Sequence, residues 1–263
     1  MAARRQALGV IAAASMGAAL AEALPSVLIL PALSDHPPEG LGMLCRWRGP
    51  SQAGAAAVTF DDGPAIDTPR TLDVLDDFGL RATFFLLGAQ IDAHPDVARE
   101  IASRGHEIGT HGFLHRHHLL SSPREIGRDL GRAIATHRAV LGTSPRFFRP
   151  PYGQLTLASL LAVRSHRLET VLWSASAREW ATETAEAALA RLVPGLRPGA
   201  IVLLHDNDVS CPRGTGELTR SLLGPLATRL QAQGLRGVSI GEMLDEAQAG
   251  SRSGSGSGGQ KAA

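Results

Sequence analysis

The chain has 263 residues, of which 44% are hydrophobic, with 26 basic side chains against 25 acidic ones and a formal net charge of +1. That length is ample for a large domain with a buried core, and its scattered positive charge predicts neither a nucleic-acid groove nor a polybasic membrane patch. Lys261, in the tail, is the sole lysine, which removes Schiff-base chemistry, pyridoxal anchoring and P-loop phosphate binding from the candidate functions.

In chain order, Arg4 and Arg5 come first, then an apolar stretch over 7–20, then Ala19, Leu20 and Ala21 before Glu22. Charged start, apolar centre and small-residue site is the order of an export signal, and the paired arginines hint at the twin-arginine route. A second apolar run over 27–33 brings the segment to the ~20 residues that a membrane span requires. A cleaved signal and a retained anchor therefore both stay open, and the expected location is periplasmic, extracellular or membrane-anchored. Residues 1–40 are read as this segment with its linker, 41–248 as the main domain and 249–263 as a flexible Gly/Ser tail. Cys45 and Cys211 lie far apart and form no CxxC pair, so free thiols are expected rather than a bridge.

Within the main domain, short apolar runs suited to buried parallel strands fall over 57–60, 82–87, 107–110, 146–149, 169–173, 200–204 and 237–240. Each precedes a helix-like segment, over 68–78, 95–104, 123–141, 156–165, 182–192, 216–233 and 241–248. Pro95 and Pro123 fall in first turns, where a missing amide hydrogen is harmless, and Gly79, Gly105, Gly142 and Gly234 follow helix ends as caps. Strict alternation implies an α/β fold with a parallel sheet, doubly wound or closed as a barrel. The period does not choose between them.

Sites in such folds form at the C-terminal ends of the strands. There stand Asp61 and Asp62 after the first strand, His111 and His115 after the third, and Arg149 and Tyr152 after the fourth. Glu179 and Trp180 follow the fifth, and His205 and Asp206 the sixth. Singly, each has an ordinary explanation: a histidine pair by chance, a salt bridge, a core tryptophan. Recurrence at equivalent positions argues for one polar mouth. Neighbours on a strand point to opposite faces, so the strand is expected to end at Phe60 and to turn at Gly63 and Pro64, letting both aspartates face that mouth.

The ordered motifs TFDDGP (Thr59 to Pro64), HGFLH (His111 to His115), RPPY (Arg149 to Tyr152) and LLH (Leu203 to His205) resemble four of the five motifs of the polysaccharide deacetylases. These form the NodB homology domain, or carbohydrate esterase family four, and the resemblance runs over about 54–244. It implies a distorted (β/α)7 barrel of parallel strands and a metal-dependent hydrolase that removes acetyl groups from N-acetylated saccharides of the cell envelope. Carried over by residue, it makes Asp62, His111 and His115 ligands of a divalent metal, usually Zn2+, with Co2+ an alternative. Asp61 becomes the general base, Arg149 its orienting partner and His205 the general acid, while Tyr152 lends a backbone amide to the oxyanion.

The residue chemistry agrees. Two imidazoles and one carboxylate leave an open position on zinc, and a histidine, with an ordinary pKa of ~6.5, suits protonation of a leaving amine. Tyr152, Trp180 and Phe113 are expected as an apolar wall for the acetyl methyl and a sugar face, and His117 and His118 as a solvated loop. A carbohydrate is thus the expected partner, with no nucleic acid and with membrane association possible through the N-terminal segment.

Two departures stand out. Gly112 replaces the Ser or Thr usual after the first histidine of the second motif, which removes a loop-bracing hydroxyl. Ser176, Ala177, Arg178, Glu179 and Trp180 replace the usual DxxDW of the fourth, leaving Glu179 or Asp206 to orient Arg149 or His205. The same site also suits an O-acetyl esterase or a sugar N-deformylase. The loss at Ser176 raises a catalytically impaired glycan-binding homologue, and a non-carbohydrate amidase completes the alternatives.

Overall fold

The computed structural model describes residues 28–30 and 44–254. Most of the expected signal or anchor, and the end of the expected tail, lie outside them. Among the described residues no helix is long and apolar enough to cross a membrane.

The main sheet is parallel throughout. Its spatial order is Glu169–Thr170, Phe147–Phe148, Glu107–Thr110, Ala82–Leu86, Ala55–Asp61, Ile201–His205 and Ala175–Ser176. Arg236–Val238 pairs with the start of Ala55–Asp61, below Ala82–Leu86 on the same edge. The two outermost strands belong to one stretch of chain. Glu169–Thr170 pairs with Phe147–Phe148, whereas Ala175–Ser176 pairs with Ile201–His205 at the other end of the sheet. The sheet therefore curls until residues 169–176 touch both its edges, and Arg46 fills the seam by pairing in parallel with Val171. This resolves the alternation to the distorted (β/α)7 barrel. It also corrects the strand expected over 169–173, which breaks because Leu172 N donates to Arg46 O, its carbonyl accepts from Arg149, and Ser174 N donates to Ile201 O.

Side chains sort by the two-residue period of a strand. Val58, Phe60, Phe84, Val202 and Leu204 face the helix layer with Leu72, Leu75, Leu222 and Leu226, and Phe60 stacks on Phe84 at 4.9 Å. Ala55, Ala57, Phe85 and Ile201 face inward with Phe147, Val171 and Met243. By the same alternation Thr59, Asp61 and His205 fall on the inner face, and the last two are register partners at the C-terminal rim.

The helices follow local signals. Pro123–Leu141 has the expected bounds because Ser122 and Glu125 form a reciprocal capping box, Pro123 opens the first turn, and Gly142 closes the end at φ 74°. It buries Ile126, Leu130, Ala133 and His137, spaced along one face. Thr68–Asp77, Pro95–Ser103, Leu157–Ser165, Ala185–Leu192, Thr215–Ala232 and Ile240–Gly254 match the other expected segments with shifted ends. The short helix Gly88–Ala93 was not expected, nor was the antiparallel pair Leu28–Leu30 with Leu155–Thr156.

Candidate active site

The first strand runs one residue past its expected end, to Asp61, and the chain leaves the extended region at Asp62, whose φ is 76°. A left-handed backbone at a non-glycine residue breaks the alternation, so Asp62 itself, rather than the turn at Gly63 and Pro64, brings the two carboxylates together. Surrounding bonds hold this conformation in place. Thr68 Oγ1 accepts from Ala65 N and donates to Asp206 Oδ2 at 2.5 Å. Asn207 Nδ2 donates to Asp206 Oδ1 at 2.8 Å and reaches Asp61 O at 3.4 Å. Asp206, expected beside Arg149 or His205, hydrogen-bonds to neither and instead straps the loop after the sixth expected strand to the loop after the first.

Arg149 is fully buried. Its Nη1 donates to Asp61 Oδ1 and Thr59 Oγ1, both at 2.7 Å, its Nη2 to Leu172 O at 3.1 Å, and the guanidinium lies 4.1 Å over the Phe85 ring. Burial lowers its pKa while the Asp61 charge opposes that shift, and a guanidinium remains cationic in either case. Thr59, absent from the expected site, is found by reading two residues back from Asp61 along the same strand face.

The Arg149 carbonyl also serves the site. His111 Nδ1 lies 2.8 Å from Arg149 O, so that nitrogen carries the proton and Nε2 presents its lone pair. His111 Nε2 and His115 Nε2 stand 3.4 Å and 3.2 Å from the same oxygen, Asp62 Oδ1. That oxygen is buried and has no hydrogen-bond partner. Two donors on a cation with bonds of ~2.0–2.1 Å in tetrahedral geometry lie about 3.3 Å apart, so these three side chains fit a metal. Burial holds the His111 imidazole well below its ordinary pKa and takes His115 down to about 3, the latter helped by His111. Both rings are therefore neutral at pH 7 and ready to ligate. Burial pushes the Asp62 carboxyl the other way, to about 7, with His205 opposing and Asp61 adding to the rise.

The loop between the histidines is braced despite Gly112. Asp129, from the helix Pro123–Leu141, accepts from Phe113 N at 2.7 Å and Leu114 N at 3.2 Å. Gly112 sits at φ 89°, and a Cβ there would stand 2.8 Å from Asp129 Oδ2. A carboxylate thus does the bracing for which a hydroxyl was expected. An acid at the edge of the buried helix stripe was the available signal, and it was missed.

His205 is held from behind by Glu179, whose Oε1 accepts from His205 N at 2.7 Å and lies 2.8 Å from His205 Nδ1. Burial pulls the imidazole pKa down, but the Glu179 hydrogen bond and charge, with Asp62 and Asp61, outweigh it and raise it to about 9. Its Nε2 is 3.8 Å from Asp62 Oδ2, and the Trp180 ring stands edge-on at 5.0 Å.

At the rim, Tyr152 is 48% exposed with φ 56°, stacks on His117 at 3.8 Å and meets His115 at 4.3 Å. Gln154 Nε2 lies 2.9 Å from His117 Nδ1. Two expectations are corrected. Phe113 is buried with the Arg132 guanidinium 3.6 Å over its ring, so it packs the loop inward instead of walling the mouth. His118 is buried on Ser159 Oγ at 2.8 Å and kept near pKa 4 by burial, so it is a core histidine and not part of a solvated loop.

A rim of exposed rings around buried ionisable groups is a site for chemistry on a polar ligand. Comparison with known proteins decides its class. Residues 48–171 match the family model described as polysaccharide deacetylase. A peptidoglycan-N-acetylglucosamine deacetylase of Bacillus cereus is 33% identical over 205 residues, covering 75% of this chain and 92% of that protein. The chain belongs to the polysaccharide deacetylase family. Among solved structures, a peptidoglycan N-acetylglucosamine deacetylase superposes with TM-score 0.71 at 28% identity, covering 77% of this chain and 93% of that one. A pseudoenzyme from Bacillus anthracis superposes with TM-score 0.69 at 26% identity, covering 76% and 68%. This deacetylase fold thus serves active and inactive proteins alike.

Proposed function

We propose that this chain is a metal-dependent N-deacetylase of an N-acetylated saccharide of the cell envelope, with residues 41–248 as its catalytic domain. The observation that carries the reading is the orphaned Asp62 Oδ1, buried between two neutral imidazole nitrogens. Charge supports it. Ionised, the buried carboxylates Asp61, Asp62, Glu179 and Asp206 outnumber Arg149 and protonated His205 by two charges, the charge of one divalent cation. The nitrogen-rich donor set suits Zn2+, with Co2+ a substitute. Held by Asp62, His111 and His115, the ion would polarise the acetyl carbonyl and activate the attacking water.

The chain's own residues do the rest. Arg149 occupies Asp61 Oδ1, so Oδ2, 3.9 Å from His111 Nε2, is the face turned to the reaction. Asp61 takes the proton of the attacking water there. Arg149 holds that carboxylate in place, because separating the buried pair would leave an uncompensated charge. His205, protonated with Glu179 behind it, gives its Nε2 proton to the departing amine. The Tyr152 backbone amide supports the oxyanion, and the Tyr152 and Trp180 rings flank the sugar.

Among the described residues few rings stand at the rim and none extends it into a long stacking platform, which favours a short, terminal or lipid-linked saccharide; a rate that climbs steeply with chain length contradicts this. Peptidoglycan, named for the relatives, is the first polymer to test. The N-terminal pattern supports export, with attachment to the membrane if the segment is retained.

A catalytically impaired reading rests on Ser176 and on the similar pseudoenzyme. Against it, Glu179 still backs His205. An O-acetyl esterase differs in its leaving group, since an alcohol departs more easily than an amine. His205→Ala is therefore expected to lower amide turnover by about 10²–10⁴-fold and ester turnover far less; equal losses on paired substrates contradict the acid role.

A further inference from the structure

Among the described residues a second group of donors fits a cation: Asp62, His205 and Cys211, whose ligand atoms lie within 4.8 Å of one another. It shares Asp62 with the group Asp62, His111 and His115 but does not merge with it. The two carboxylate oxygens divide the work. Oδ1 faces His111 and His115, whereas Oδ2 is nearest His205 Nε2 at 3.8 Å. A carboxylate so placed can bridge two ions, as in paired-metal sites whose ions stand ~3.5–4 Å apart.

We propose that Asp62, His205 and Cys211 form a second, inhibitory position for a soft divalent cation such as Zn2+ or Cd2+. Thiolate sulfur selects such ions over Mg2+ or Ca2+. Cys211 is half-buried and unbridged, on the loop that follows His205. The surroundings favour a cation independently of the thiol. Glu179 Oε2, behind His205, is buried without a hydrogen-bond partner, and Asp62, Glu179, Asp61 and Asp208 all lie close enough for their charges to act on Cys211. On binding, the thiol and the His205 Nε2 each release a proton to solvent and each form one bond to the ion. His205 then has no proton for a leaving amine. That inhibition rests on the acid role proposed above; the binding does not.

The test is a Co2+ titration of the metal-free, full-length protein under inert atmosphere, followed by absorption and bound metal. The wild type is expected to take up two equivalents, the second bringing a sulfur-to-cobalt charge-transfer band. Cys211→Ser should take up one and lack the band, whereas Cys45→Ser, altered at the other thiol, should behave as wild type. Acetate release, measured alongside, should fall as the second equivalent binds, and Cys211→Ser should raise the inhibiting concentration by at least about 10-fold. Spectra that Cys211→Ser leaves unchanged, or a sulfur band already present at one equivalent, overturn the second position. If the band follows the second equivalent and acetate release does not fall, the site stands and the inhibition is refuted.

Discussion

Glu179 is one methylene longer than the aspartate usual in its motif, and that length lets Oε1 meet both the backbone N and Nδ1 of His205. From the sequence it was one of two candidates; the other, Asp206, is consumed by Thr68 and Asn207. Nothing in residue order distinguishes an acid that straps two loops from one that backs a histidine. The raised pKa of His205, about 9, depends on Glu179 against the pull of burial. Glu179→Gln removes that support, so the histidine loses its proton at lower pH. The alkaline limb of kcat/KM should move down by about 1–3 pH units, read from a pH–rate profile, and an unmoved limb contradicts the coupling. Arg149 and Asp61 were each legible at a strand end, but their pairing followed only from the resemblance to the deacetylase motifs. Thr59, their third partner, required the knowledge that the strand continues inward.

At the scale of elements, the loop from His111 to His115 depends on the helix Pro123–Leu141. The helix itself was fully legible, since its proline opens the span and its terminal glycine directly follows it. What it does for the loop was not, because a hydrogen bond from Phe113 N to Asp129 spans 16 residues and leaves no local pattern. Restoring the usual hydroxyl by Gly112→Ser is therefore expected to harm. A side chain at φ 89° meets Asp129 Oδ2, and strain of about 1–3 kcal/mol follows. Asp129→Ala keeps the glycine but releases two amides, and a loss of about 10–100-fold in metal affinity is expected. Calorimetric titration with Zn2+ checks both, and a Gly112→Ser variant that binds the ion more tightly contradicts the bracing.

Across the whole molecule, seven β/α units were legible from apolar runs and helix punctuation, whereas the barrel followed only from the motif resemblance. Closure depends on residues 169–176 serving both edges of the sheet and on Arg46 filling the seam, contacts that strand periodicity does not encode. The barrel gathers carboxylates inside, so a cation held among them would add stability as well as chemistry. Asp62 has a folded pKa raised to about 7 from its ordinary 3.8. Its contribution is fully present below the unfolded value and is lost as pH rises through the folded one, so an ionised Asp62 burdens the metal-free protein. A bound ion reverses that burden and must displace a proton below about pH 7. The rise in Tm on adding Zn2+ should therefore be larger at pH 8 than at pH 5, by differential scanning fluorimetry; a rise that shrinks as pH increases contradicts a ligand role for Asp62.

The division of labour between the adjacent aspartates is most directly tested with Asp61→Asn and Asp62→Asn, each supplied with Zn2+ and assayed for bound metal and for acetate released from chitooligosaccharides and peptidoglycan. Asp61→Asn should hold zinc as the wild type does and lose turnover by about 10²–10⁴-fold, while Asp62→Asn should lose the ion held with His111 and His115. An Asp61→Asn protein that fails to hold zinc, or one that holds it and still releases acetate at the wild-type rate, contradicts the account.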